Sequence, residues 1–151
     1  NGIVVDACGR TSDPSIFAAG DAANQPNELI GRRIRLESYQ NAQDQGMAVG
    51  RNLVSEPEPY SDRLWVWSDQ YDVNLQMVGA PTEWDRIVYR GELASGSFSV
   101  YYLSAGRVVA VNVVNAGREM RAAERILASG AVLDLDLLAD PETNLRKLMK
   151  G

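Results

Sequence analysis

The stretch that decides the predicted fold is Ile16-Phe17-Ala18-Ala19-Gly20-Asp21-Ala22-Ala23. Its first four residues are apolar and lie between Pro14 and Gly20, a pattern that predicts a buried strand. The carboxylate of Asp21 follows at the end of that strand, where a glycine lets a ligand or another backbone approach closely. Such a carboxylate can accept hydrogen bonds from sugar-like hydroxyl groups. The octet therefore predicts a ligand-binding strand end, and the alternative is a structural strand that ends in a capping aspartate.

The composition bounds the classes of protein to consider. The chain has 151 residues, enough for one sizeable core or two small ones, and 45% of them are hydrophobic. A net charge of −5 argues against nucleic acid or an anionic membrane as the main partner. One cysteine and no histidine exclude an internal disulfide and leave no metal-ligand spacing. No apolar run approaches the ~20 residues that cross a bilayer, so a cytoplasmic location is expected.

The first part of the chain opens on a predicted strand, Ile3 to Val5. Because the chain starts inside this strand and without a methionine, we expect it to be a piece of a longer protein. A loop is predicted from Asn24 to about Arg33, since that stretch contains Pro26 and Gly31. Three arginines beside it form a cationic cluster, which is either a solvated loop or a docking surface for acidic partners: Arg32, Arg33 and Arg35.

Small residues spaced three and four apart predict a helix from Ser38 to Leu53 with a face suited to close packing: Ala42, Gly46, Val49, Gly50 and Leu53. Ser38 is the predicted N-cap, because its hydroxyl can accept from a backbone amide one turn on. The amides at such a helix start favour an anion or a carbonyl oxygen in front of it. Asn41 is expected to pack or to bond the backbone rather than to bind a ligand. Pro57 and Pro59 end the helix and predict a boundary between domains 1–58 and 59–151.

The second part of the chain has short alternating apolar segments that predict five strands: Leu64–Trp67, Val73–Val78, Ile87–Tyr89, Phe98–Leu103 and Val108–Val114. Glycine-containing turns and the lack of intervening helices favour antiparallel pairing. A helix is predicted from Ala116 to Ser129, with Gly130 at its C-cap, and a shorter one from about Pro141 to Met149. The predicted fold class is therefore α+β, an antiparallel sheet of about five strands with C-terminal helices, preceded by a strand-loop-helix segment.

Three stretches carry a family resemblance: residues 16–23, Arg35-Leu36-Glu37-Ser38-Tyr39-Gln40-Asn41-Ala42, and Trp65-Val66-Trp67-Ser68-Asp69-Gln70-Tyr71-Asp72. In this order they resemble the C-terminal part of the FAD-dependent ferredoxin reductases of oxygenase systems, the putidaredoxin reductase and aromatic-ring dioxygenase reductase family. Further matches at Leu75–Gly79 and Gly106–Val111 extend the resemblance over nearly the whole chain. It implies that residues 1–58 are the last segment of an FAD-binding α/β domain and that residues 59–151 are the C-terminal reductase domain.

The resemblance also implies a flavin site, with no catalytic acid, base or nucleophile of its own. Gly20 would allow close approach, and Asp21 would bind the ribityl hydroxyl groups of FAD. The helix that begins near Ser38 would direct its N-terminus at the pyrimidine edge of the flavin. There Tyr39 would offer backbone contact, and the helix dipole would stabilise negative charge on the reduced ring.

Two residues of the matching stretches have competing interpretations. Glu37 belongs to the implied cofactor-binding set, and its alternative is a surface capping carboxylate. Trp67 would pack near the flavin on the route to the iron–sulfur partner. Its alternative is a core aromatic residue of the sheet, which is the preferred interpretation for Trp65.

The implied function is that of a flavoprotein reductase, which passes electrons from NADH or NADPH through FAD to a small iron–sulfur ferredoxin. The glycine-rich fingerprints that hold FAD and NAD are absent from this sequence. We therefore expect the chain alone to be inactive and to hold little or no FAD. Two alternatives stay open, a non-catalytic docking or dimerisation module and a part of a flavoprotein like apoptosis-inducing factor. Exposed apolar surface is expected around residues 3–19, with that segment displaced, disordered or paired in self-association.

Overall fold

The structure is a computed structural model that describes residues 1–61 and 64–148. The chain divides into two compact units, one ending at Val66 and the other beginning at Trp67. The boundary predicted after residue 58 lies inside the first unit and stays a prediction.

The first unit contains a small three-stranded sheet and one long helix. Its strands are β1 (Ile3–Val4), β2 (Ala23–Asn27) and β3 (Arg32–Ile34), in the order β1-β2-β3. β2 is the central strand, parallel to β1 and antiparallel to β3. The helix α1 spans Tyr39–Asn52. The predicted loop from Asn24 to Arg33 was wrong, because β2 and β3 form a hairpin in which Pro26 lies opposite Arg33.

The buried strand predicted at Ile16–Ala19 is also wrong. Only Phe17 forms a bridge, with Arg10, and Ile16 is exposed. The segment is instead hydrogen-bonded to the residues just before it in the chain. The amide of Thr11 donates to the Ile16 carbonyl, and the amide of Ala18 donates to the Gly9 carbonyl. These bonds hold it as an irregular arm outside the three-stranded sheet. The expected exposed apolar surface includes Ile3, Val4 and Ile16.

The helix α1 begins where the sequence predicts. Ser38 is the N-cap, and its Oγ accepts from the Asn41 amide at 3.1 Å. The predicted packing face was wrong apart from Val49, because the other four residues of that stripe are exposed: Ala42, Gly46, Gly50 and Leu53. The buried face consists instead of Asn41, Gln45, Val49 and Asn52. Amides can take these positions because each finds hydrogen-bond partners in the same unit.

The second unit is built on a five-stranded antiparallel sheet, as predicted. The strands are β4 (Trp65–Gln70), β5 (Val73–Gly79), β6 (Arg86–Arg90), β7 (Phe98–Ser104) and β8 (Arg107–Val114). Their order is β4-β5-β8-β7-β6, and the division between the two units falls within β4. β7 and β8 are joined at Ala105 and Gly106, which both have positive φ (49° and 74°). That pair of angles is typical of the tight hairpin turn whose twist matches the strands it joins.

Helices cover one face of this sheet. α2 spans Met120–Ser129 and contacts β8 and β5. On the central strands, Tyr101 lies opposite Val111, and Leu103 lies opposite Val108. These four side chains are buried, as is Ile126 of α2, and they belong to the core of this unit. Each fully buried aliphatic side chain of this kind stabilises the fold by about 1.5–3 kcal/mol.

The end of the chain differs in detail from the prediction. α2 begins at Met120 rather than at Ala116, and Gly130 caps its end in the left-handed conformation as predicted. The short last helix predicted from about Pro141 to Met149 begins later, as α4 (Leu145–Leu148), and Met149 lies outside the described residues. A further helix that was not predicted, α3 (Leu135–Ala139), precedes it. Asp134 starts α3 because its carboxylate accepts from the amides of Asp136 and Leu137, a capping signal that hydrophobic spacing alone does not reveal.

Candidate functional site

A single turn of 3-10 helix, Gly20–Ala22, holds the residue pair singled out in the sequence. Gly20 has a φ of +67°, in the left-handed region that side chains disfavour. A Cβ placed on Gly20 would lie 3.3 Å from the Cβ of Ala42 and 3.4 Å from its Cα. Both the backbone conformation and the close approach of α1 therefore favour glycine here.

Asp21 is presented to solvent by this turn. Its carboxylate makes no hydrogen bond or ion pair with any of residues 1–61 or 64–148. A Cβ placed on the preceding residue, Gly20, would meet Ala42, which lies three residues along α1 from Tyr39, or about one turn. The turn of Asp21 and the N-terminal end of α1 are therefore close neighbours, as the flavin-site hypothesis requires.

The N-terminal end of α1 carries two of the predicted site residues. Ser38 is buried, and its Oγ accepts from the Asn41 amide, so its side chain shapes the helix start. Its place in the cofactor site stays a prediction. Tyr39 has 71% of its surface exposed. The start of an α-helix carries the positive end of the helix dipole, so this end of α1 favours partial negative charge in front of it.

Glu37 is exposed and forms an ion pair with Arg35. Arg33 is also engaged within the chain, because its guanidinium donates to the carbonyls of Val5 and Asn24. In the predicted cationic cluster, Arg35 is thus paired with Glu37, and Arg33 is hydrogen-bonded to backbone carbonyls. The third arginine, Arg32, is exposed. The docking function of this cluster stays a prediction.

Trp67 lies on β4 as the first residue of the second unit, and its side chain is half-buried. Trp65 and Trp67 are two residues apart on one strand and therefore share a face of it. The site described here is built from residues of the first unit, and the role predicted for Trp67 stays a prediction.

Gln45 is the residue of this site that the sequence did not single out. It is buried on α1, and its Oε1 accepts from the Gly20 amide at 2.7 Å. The available signal was the recurrence of Asn41, Gln45 and Asn52 along one side of the helix. Large amides in that register are unusual for a face that packs against a core.

The arrangement is suited to holding a ligand rather than to transforming one. An exposed carboxylate can accept from hydroxyl groups, a glycine leaves room for close approach, and a helix start favours partial negative charge. Within the described ranges, no group of three or more acidic or cysteine side chains could hold a metal ion. None of the helices described there is long and apolar enough to cross a membrane.

Two family models match the chain. The model described as Reductase C-terminal matches residues 65–149, which are more than half of the chain. The model described as Pyridine nucleotide-disulphide oxidoreductase matches residues 1–46, where the turn of Asp21 and the start of α1 lie.

Individual proteins match over nearly the whole chain. The ferredoxin–NAD(+) reductase component of the anthranilate 1,2-dioxygenase system of Burkholderia cepacia is 45% identical over 150 residues, which are 99% of this chain and 37% of that protein. The ferredoxin reductase of the CYP199A2 system of Rhodopseudomonas palustris has a TM-score of 0.86 at 37% identity, over 97% of this chain and 36% of that one. The covalent putidaredoxin reductase–putidaredoxin complex also has a TM-score of 0.86 at 37% identity, and the match covers 99% of this chain and 36% of that one. The chain thus spans about a third of the length of the relatives it matches.

Proposed function

The chain belongs to the Reductase C-terminal family, and on that premise we propose that it is the C-terminal part of an FAD-dependent ferredoxin reductase. The whole protein passes electrons from NADH or NADPH through FAD to a small iron–sulfur ferredoxin of an oxygenase system. The names of the relatives and the 45% identity of one of them support this proposal. Residues 1–58 are the end of the FAD-binding domain, and residues 59–151 are the C-terminal reductase domain.

One observation carries the proposal. The Gly20 amide donates to Gln45, and a Cβ placed on Gly20 would meet Ala42, so the turn of Asp21 lies beside the start of α1. The site thereby offers an acceptor for hydroxyl groups and a helix start for an electron-rich ring edge. These are the two chemical features that a flavin with a ribityl chain needs, and the residues present fit the cofactor.

Each predicted residue has a distinct part in this site. Asp21 accepts hydrogen bonds from the ribityl hydroxyl groups, and Gly20 leaves room for the chain. The backbone at Tyr39 contacts the pyrimidine edge, and Ser38 fixes the helix start that directs it. Glu37, paired with Arg35, borders this edge.

Trp67 packs near the flavin in this proposal, on the route that electrons take to the ferredoxin. FAD supplies the hydride and single-electron chemistry when bound, and this chain supplies orientation and electrostatics. The sequence contains no histidine, which is consistent with this proposal because these residues orient the cofactor and do not transfer protons.

The experiment is a chimera in which residues 1–151 replace the matched 150-residue stretch of the Burkholderia cepacia reductase component. We expect the purified chimera to contain FAD, with absorbance near ~450 nm, and to reduce a ferredoxin with NADH or NADPH as donor. The unmodified relative is the positive control. A folded chimera without bound flavin would refute the proposal.

The chain alone provides a second test. Because the dinucleotide-binding fingerprints are not in this sequence, the isolated chain should hold little or no FAD and should not turn over NADH with a dye acceptor. Stoichiometric flavin or measurable turnover by the isolated chain would contradict that expectation.

A further inference from the structure

We propose that Gln45, Gln25 and Asn41 form a buried amide relay that fixes the turn of Asp21 relative to the start of α1. In this relay Gln45 is a positioning residue for FAD, acting through the backbone of Gly20. The inference rests on the function proposed above. It assigns a role to three side chains that do not touch the cofactor.

The relay begins at the turn. The Gly20 amide donates to Oε1 of Gln45 at 2.7 Å, and Nε2 of Gln45 donates to Oε1 of Gln25 at 2.6 Å. Gln25 lies on β2, the strand that follows the turn directly. Its Nε2 donates to Oδ1 of Asn41 at 3.3 Å.

The relay ends at the start of α1. Nδ2 of Asn41 donates to the carbonyl of Leu36 at 2.9 Å, and the Asn41 amide donates to Oγ of Ser38 at 3.1 Å. Each of the three amide side chains accepts at its oxygen and donates at its nitrogen. The bonds therefore run in one direction from Gly20 to Leu36, an order in which neighbouring bonds polarise and strengthen one another.

The burial of these amides argues for orientation rather than for stability alone. Gln45, Gln25 and Asn41 are 2%, 3% and 1% exposed. Apolar side chains at such positions would bury no polar side-chain groups, but they would leave the Gly20 amide and the Leu36 carbonyl without these partners. Hydrogen bonds add what apolar packing lacks, a preferred distance and angle at every link. The result is a rigid connection between the two backbone segments that the proposed function places around the flavin.

The test uses the chimera described above, with Gln45→Met and Gln25→Met as separate variants. Methionine keeps the unbranched shape and removes the polar groups. For each variant, the FAD dissociation constant and the melting temperature of the apoprotein are measured. We expect Gln45→Met to bind FAD about tenfold more weakly, because the Gly20 amide loses its acceptor. Gln25→Met leaves that bond in place and should weaken binding by a smaller factor, at least about threefold. If Gln45→Met does not fold, Gln25→Met carries the test.

Two controls separate positioning from general stability. Val49→Ala removes buried apolar volume from the same face of α1, outside the relay. It should lower the melting temperature and leave FAD affinity within about twofold of wild type. Gln43→Met changes an exposed glutamine of the same helix and should change neither quantity.

The outcomes distinguish the two proposals. Wild-type chimera without FAD would overturn the proposed function and this inference with it. Wild-type chimera that binds FAD, with both relay variants binding equally well, would overturn the relay alone. The relay is also overturned if Val49→Ala weakens FAD binding as much as Gln45→Met does.

Discussion

Arg90 provides the sharpest stability prediction, because a single buried guanidinium organises the end of the second unit. It is 4% exposed, and its Nε donates to Oε1 of Glu119 at 2.8 Å in an ion pair. Its terminal nitrogens donate to four carbonyls of one segment, those of Leu138, Asp140, Pro141 and Thr143. The end of α3 and the segment that joins it to α4 are therefore held by one side chain of β6.

Replacing Arg90 by methionine should destabilise the protein by about 3 kcal/mol. Removing one partner of a buried ion pair costs about 3–5 kcal/mol, and the lower end applies because the Glu119 side chain is 25% exposed. Glu119 also keeps its bond from the Ser99 hydroxyl, at 2.6 Å. A loss of this size is a large part of the roughly 5–15 kcal/mol that stabilises an ordinary domain.

Urea unfolding followed by tryptophan fluorescence and circular dichroism measures this loss, and hydrogen exchange locates it. Amides of residues 138–143 should exchange faster in Arg90→Met than in wild type at urea concentrations well below the midpoint. The matched control is Arg125→Met, an exposed arginine of α2 that should stay within about 0.5 kcal/mol of wild type. A loss under about 1 kcal/mol for Arg90→Met, or unchanged exchange in 138–143, would refute the reasoning.

Three further predictions concern single residues. Gly20→Ala should destabilise the first unit by about 1–2 kcal/mol, because the φ of +67° at this position is unfavourable for a residue with a side chain. The variant should also lower the FAD content of the chimera. Stability and FAD content equal to those of wild type would contradict this prediction. Ser38→Ala should cost about 1 kcal/mol in urea unfolding through loss of the α1 cap, and a change of under a few tenths would count against the capping role. The buried hydroxyl of Tyr101 has no hydrogen-bond partner among the described residues, and burial, with Glu119 adding to it, raises its pKa above the ordinary value of about 10. The unfolded chain therefore loses this proton at a lower pH than the folded one does. The contribution of Tyr101 to the free energy of unfolding should be constant below about pH 10 and should decrease as the pH rises further. Tyr101→Phe should be as stable as wild type or more so at pH 7 and should show less of that alkaline loss; an unchanged pH profile would contradict the assignment.

The parts of the fold that the sequence predicts are those set by local pattern. Ser38 predicts the start of α1 because an N-cap bonds to an amide only three residues away. Gly130 predicts the end of α2 because the C-cap residue there adopts the left-handed conformation. The five strands of the second unit follow from alternation and from glycine-containing turns, since successive strands pair with one another or with a near neighbour.

The parts that sequence did not predict depend on distant partners. Ile16–Ala19 has the composition of a strand, but pairing needs a neighbour, and here only the short connector before it is available. The buried face of α1 was misassigned because an amide is buried only where its partners exist, and the partners of Gln45 are Gly20 and Gln25, more than a dozen residues earlier. The position of Gly20 and Asp21 beside α1 could be predicted from the family resemblance. The side chain that holds them there could not.

The central claim, that Asp21 binds FAD, is tested most directly by the FAD dissociation constant of the chimera that carries Asp21→Ala. The control is the chimera that carries Glu28→Gln, which neutralises an exposed acid of the same unit outside the proposed site. If the Asp21 carboxylate accepts from the ribityl hydroxyl groups, Asp21→Ala should bind FAD at least about tenfold more weakly, and Glu28→Gln should match wild type. Equal affinity for wild type and Asp21→Ala would contradict the account.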